Sequence, residues 1–163
     1  MRLRSETADQ TRAVGARLAG LLRAGDVLVL SGDLGAGKTT LTQGLGEALG
    51  VRGAVTSPTF VISRVHPSLS DGPALVHVDA YRLGSSAGSA GATVELDDLD
   101  LATSLDEAVT VVEWGTGVAE TLAEDRLEIE ILRAHGDEEG EARTLRVTAV
   151  GPRWAGVDLD VLR

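Results

Sequence analysis

A chain of 163 residues fits one domain with a core of its own, and the lack of cysteine removes disulfides, thiol catalysis and cysteine-ligated zinc. A formal net charge of -10, with only two Trp, one Tyr and one Phe, argues against broad capture of nucleic acid, which needs a basic surface and stacking platforms. No run reaches membrane-spanning length and no signal peptide is present, so a soluble cytoplasmic protein is expected, without membrane or DNA as partner.

In chain order, Thr7 to Arg23 predicts an opening helix, with Thr7 and Gln10 as a capping box and Val14, Leu18, Leu21 and Leu22 on one face. Ala24-Gly25-Asp26 turns into an apolar strand, Val27 to Leu30, and Thr39 to Leu49 predicts a helix closed by Gly50. Between strand and helix runs Gly32-Asp33-Leu34-Gly35-Ala36-Gly37-Lys38-Thr39, a full match to the phosphate-binding pattern G-x-x-x-x-G-K-[ST] in the context that pattern requires. Its glycines let backbone N–H groups turn toward phosphate at a helix N-terminus, where the dipole also favours negative charge. Lys38 is the only lysine of the chain, and its compact ammonium fits between phosphate oxygens where a planar guanidinium does not. A nucleoside triphosphate is therefore the expected ligand.

Further along, Ser57-Pro58-Thr59-Phe60 introduces an extended segment, Val61 to His66, and a loop around Ser70 to Pro73 leads to a strand over Leu75 to Val78. Gly84 to Gly91 is rich in Gly, Ser and Ala, Leu96 to Leu105 is acidic with helical character, Val109 to Val112 is a further strand, and Val118 to Leu122 is a short helix. Leu127 to Leu132 and Thr144 to Val150 alternate apolar and polar residues around His135 to Gly140, the pattern of an antiparallel hairpin. With no repeat and no interior linker, residues 1–163 form one α/β domain, expected as a three-layer P-loop NTPase fold with a mostly parallel sheet and a late antiparallel hairpin.

Two carboxylates follow apolar strands, Asp79 after Leu75-Val76-His77-Val78 and Glu113 after Val109-Thr110-Val111-Val112. Strand carboxyl ends of a parallel sheet share one edge with the phosphate loop, so both acids can converge on a magnesium ion beside the Thr39 hydroxyl. Taken singly, either also fits a solvated turn residue. His77 reads as a core histidine with a hydrogen-bond partner, His66 and His135 have no metal-ligand spacing with it, and Glu95 to Asp100 reads as a solvated face. Trp114 could pack, cover a nucleotide or contact a partner.

The ordered set GDLGAGKTT from Gly32 to Thr40, SPTF from Ser57 to Phe60, HVDAYRL from His77 to Leu83, and Glu113-Trp114 resembles the bacterial TsaE ATPases of tRNA threonylcarbamoyladenosine modification. The resemblance implies a magnesium-dependent ATPase working with the TsaB and TsaD proteins, with tRNA reached only through that complex. It implies nucleotide contacts from Leu34, Gly35, Ala36, Gly37, Lys38, Thr39 and Thr40, catalytic roles for Lys38, Asp79 and Glu113, and a metal site of Thr39, Glu113 and Asp79. By the same analogy the base lies near Thr11 and Arg143, although Arg143 also fits an exposed charge at a strand start. Ser57 to Phe60 would act as a switch-like loop. Gly115, where the family often has proline, and the Gly/Ser/Ala segment depart from the pattern.

A GTPase would need an Asn-Lys-x-Asp run, which the single lysine forbids. A small-metabolite kinase is the main alternative, though the Gly/Ser/Ala segment offers no arginine for a lid. A binding module in which ATP only sets conformation is the third reading.

Overall fold

The computed structural model describes residues 1–57, 63–80, 106–114, 123–133 and 140–163. Its elements are β1 (Arg2–Ser5), α1 (Ala8–Ala19), β2 (Val27–Ser31), α2 (Lys38–Leu49), β3 (Ser63–His66), β4 (Ala74–Asp79), β5 (Ala108–Glu113), β6 (Arg126–Arg133) and β7 (Arg143–Val150), followed by 3-10 turns at Pro152–Trp154 and Leu159–Leu162. One seven-stranded sheet takes the order β1-β7-β6-β2-β5-β4-β3. β6, β2, β5 and β4 are mutually parallel, while β3 and β7 run against them and β1 pairs antiparallel with β7. Most strands thus share one direction, and β6 and β7 form the expected antiparallel pair.

Alternation along the strands divides the core between two faces. Leu28 and Leu30 of β2, Val109 and Val111 of β5, and Ile129 and Ile131 of β6 meet Val14 and Leu18 of α1 and Leu41 and Leu45 of α2 in the larger cluster. Each such leucine or isoleucine contributes about 1.5 to 3 kcal/mol when withdrawn from water. On the opposite face Val27, Val29, Val76, Val78 and Val112 form a second buried cluster. The helical segments expected over 96–105 and 118–122 lie outside the described residues, as does the segment 84–91. No described helix is long and apolar enough to cross a membrane.

α1 and α2 approach closely because glycine lines both. A methyl group at Gly15 would overlap the Leu41 carbonyl, and one at Gly44 the Arg12 carbonyl. This contact carries the N-terminal helix against the helix that follows the phosphate loop.

Several boundaries differ from expectation. α1 ends at Ala19 rather than Arg23, because Gly20 and Leu21 tighten the last turn through bonds to the Arg17 and Leu18 carbonyls. Thr7 caps the helix by accepting from the Gln10 N–H at 3.2 Å, but the Gln10 side chain accepts from Glu6 N–H at 2.7 Å, one residue before the position a capping box would use. β1 went unpredicted: four residues give too short a pattern, and pairing with β7, Leu3 opposite Leu145, is what makes them a strand. The turns at the C-terminal end also went unpredicted, although Trp154 and Leu162 join the larger core.

Candidate functional site

Parallel β2, β5 and β4 end on one edge of the sheet, and the loop from Gly32 to Gly37 leaves β2 there to enter α2. Gly37 stands at the N-cap of α2 with φ 112, a left-handed conformation that glycine adopts without a Cβ penalty. Having no side chain, it makes no cap, so the first turn of α2 keeps donors for an external acceptor.

Lys38 opens α2 and turns back into the loop. Its Nζ donates to the carbonyls of Gly32 at 2.8 Å and Asp33 at 3.0 Å. The Trp114 ring lies over the ammonium, 3.9 Å from Nζ to the centroid. Burial pushes the Lys38 pKa below its ordinary 10.5, and the charges of Glu113, Asp33 and Asp79 act in the opposite direction. A cation partly stripped of water can give strong electrostatic stabilisation to an anion, and the carboxylates close by favour its charged form.

Asp79 and Glu113 are register partners at the ends of β4 and β5, 3% and 4% exposed. The solvated-turn alternative is therefore wrong for both. Glu113 Oε1 accepts from the Thr39 hydroxyl at 3.4 Å and from His77 Nε2 at 2.9 Å. His77 is wholly buried and has the partner expected of a core histidine. His66 is buried elsewhere, with Nδ1 at 3.2 Å from the Arg52 carbonyl, while His135 and Glu95 to Asp100 lie outside the described residues.

A cavity of about 160 Å³ opens at this edge, lined by Leu34, Gly35, Gly37, Lys38, Thr39, Thr40, Ser57, Glu113 and Trp114. Asp79 is not on its wall but pairs in register with Glu113, which is. Ser57 reaches the cavity, and residues 58–60 of the expected switch-like loop lie outside the described residues. Trp114 carries the single positive φ of a non-glycine among the described residues, 61°, and its N–H donates to the Leu30 carbonyl at 2.9 Å. That uncommon backbone state at the strand end is what brings the ring over Lys38.

On the other side of the loop a second cavity, about 110 Å³, is lined by Thr11 and Arg143 together with Ala8, Gly35, Ala36, Gly37, Thr40 and Glu141. The two residues placed near a base by analogy thus meet beside the phosphate loop. Arg143 is half-buried rather than an exposed charge: Nε donates to the Ala36 carbonyl at 3.0 Å, and Nη1 donates to the carbonyls of Gly140 and Ala142. Thr11 is buried, its hydroxyl 2.8 Å from that of Ser5.

Glu141 and Arg133, whose Nη2 donates to the Gly35 carbonyl at 3.1 Å, were not singled out in the sequence. No local spacing marks them, because β6 and β7 reach the loop only through sheet pairing. His77 was recognisable as buried, and the two-residue offset from Asp79 would have placed it on the acid's face.

A phosphate-type loop joins a central parallel strand to a helix in a mixed α/β protein, with lysine, threonine and paired acids on one strand edge. The model of the family described as "Threonylcarbamoyl adenosine biosynthesis protein TsaE" matches residues 5–144. The chain is 64% identical over 151 residues to the tRNA threonylcarbamoyladenosine biosynthesis protein TsaE of Streptomyces coelicolor, covering 93% of this chain and 98% of that one. To the protein of the same name from Bacillus subtilis it is 39% identical over 155 residues, covering 94% and 89%. The crystal structure of YdiB from Bacillus subtilis superposes with a TM-score of 0.71 at 35% identity, covering 95% of this chain and 88% of that one. This chain belongs to the TsaE family.

Proposed function

We propose that the chain is a magnesium-dependent ATPase with a P-loop NTPase fold, supporting threonylcarbamoyladenosine modification of tRNA in the cytoplasm by acting on a complex of TsaB and TsaD. The observation that carries the reading is the meeting of Lys38, Thr39 and Glu113 on one cavity at the N-terminus of α2. Lys38 would neutralise the β- and γ-phosphates, and the N–H groups from Gly35 to Thr39 would cradle them, with Leu34 and Thr40 as further nucleotide contacts. Thr11 and Arg143 would flank the base in the adjoining cavity.

The donor set fits magnesium. Thr39 and Glu113 offer hard oxygen ligands, and Asp79 is the register partner of Glu113 at the same strand edge. Magnesium is held in this way, by one or two carboxylates with phosphate oxygens and water completing the shell, rather than by an all-protein cage. Its chemistry there is neutralisation of charge on the transferring phosphoryl group. Asp79 would orient the attacking water or hold the metal shell.

The acidity of the chain and its few aromatics favour indirect contact with tRNA. Phosphate release and tRNA binding should both be weak for the isolated chain, and hydrolysis should rise when TsaB and TsaD are added. Full hydrolysis in isolation, indifferent to those proteins, would sink this reading and favour a metabolite kinase, which a screen for phosphorylated acceptors would reveal.

A further inference from the structure

We infer that His77 is a positioning residue, whose Nε2–H pins Oε1 of Glu113 and holds that carboxylate in the orientation the proposed magnesium site requires. The inference rests on the ATPase reading above and deepens it. Cα of His77 lies opposite Val111 in the β4–β5 register, and Glu113 is two residues on, so both side chains project from the same face of the sheet. The imidazole is wholly buried, and its Nε2 lies 2.9 Å from Oε1, closer than the Thr39 hydroxyl at 3.4 Å.

An ionised carboxylate only accepts, so Nε2 must carry the proton in this pair. Nδ1 is buried and has no hydrogen-bond partner among the described residues. The Glu113 contact therefore offsets the burial of the ring and selects its tautomer. Thr39 and Glu113 come from different elements, α2 and β5. His77, inside the parallel core on β4, ties the carboxylate to the sheet, while the longer Thr39 bond ties it to the helix. Groups that orient a metal-binding carboxylate in this way typically change metal affinity by about 10- to 100-fold when removed.

The test uses the full chain. Long-range nitrogen-proton NMR of the isolated protein should show His77 as the Nε2–H tautomer, and an Nδ1–H tautomer overturns the proposal. In titrations with ATP, His77→Leu should weaken binding in the presence of magnesium by roughly tenfold or more while leaving magnesium-free ATP affinity near wild type. His77→Gln, whose amide N–H reaches about as far as Nε2, should recover most of the magnesium dependence. A side chain that only fills space would show the reverse, equal losses with and without metal and no advantage for glutamine. Should His77→Leu fail to fold, the glutamine variant and the tautomer decide the matter. Wild-type ATP binding that ignores magnesium would overturn the ATPase reading itself, whereas magnesium-dependent wild type with an unchanged His77→Leu overturns the positioning role alone.

Discussion

Lys38 combines two demands that conflict. Its ammonium is suited to phosphate because burial has removed part of its water, and the same burial makes it a cost to the fold. Lys38→Ala should weaken ATP binding or hydrolysis by about 2 to 4 kcal/mol, and Lys38→Arg should not restore it, since the loop carbonyls and the Trp114 ring close around a compact head group. Nucleotide titration and phosphate release on both variants check this. A lysine pKa lowered by folding means the folded state binds fewer protons between its lowered pKa and 10.5, so the cost is full below that lowered pKa and fades as pH rises from there toward 10.5. Lys38→Met should therefore narrow its stability difference from wild type across that alkaline window, as read from denaturant midpoints at several pH values. Thr39→Val and Glu113→Gln should each reduce Mg-ATP affinity more than metal-free ATP affinity, whereas Asp79→Asn should reduce hydrolysis more than binding. Titrations with and without magnesium, beside turnover, distinguish them; equal losses for Asp79→Asn would make it a binding residue. These residues were legible in the sequence because a glycine loop and strand-end acids are local patterns. The His77–Glu113 and Arg143–Ala36 bonds were not, because each joins residues distant in the chain.

The loop is held by elements whose own packing is exacting. α2 meets α1 where Gly44 faces the Arg12 carbonyl, and Arg12 also bonds Glu47 at 2.7 Å and Gln43 at 3.1 Å. Gln43 in turn donates to the Val55 carbonyl at 3.0 Å, linking α2 to the segment that leads to Ser57. Gly44→Ala should destabilise the fold by about 1 to 3 kcal/mol through overpacking, although alanine is the better helix former. Thermal and denaturant unfolding measure it, and a stabilised variant would show that the helices can separate freely. The interiors of the parallel strands were readable as apolar runs, since burial on both faces leaves little room for polar residues. β1 was not, because its register depends on β7, and the early end of α1 depends on the turn that packs Leu22 into the core.

At the pole away from the site, the whole molecule is closed by its C-terminal segment. Arg153 bonds both carboxylate oxygens of Asp26, at 2.9 and 2.8 Å, and donates to the Leu21 carbonyl at 3.0 Å, while Asp26 accepts from the Arg23 N–H. Asp26→Asn should cost about 3 to 5 kcal/mol by leaving a largely buried guanidinium without its counter-charge, and pairing Arg153→Met with Asp26→Leu should recover much of that loss. Urea unfolding of the wild type, Asp26→Asn and the double variant checks the coupling; equal stability of all three would remove the clasp from the account. Cα pairing of Asp79 with Glu113 and the placing of Thr11 beside Arg143 are likewise consequences of the assembled sheet and helices. Local order in the chain was enough to specify the phosphate-type loop, the parallel strands and the acids at their ends, since turn chemistry and hydrophobic period act over a few residues. Which histidine donates to which acid, which arginine clasps the loop, and how the last residues close the core were settled only by folding, because strand order and register join positions that no short-range pattern relates.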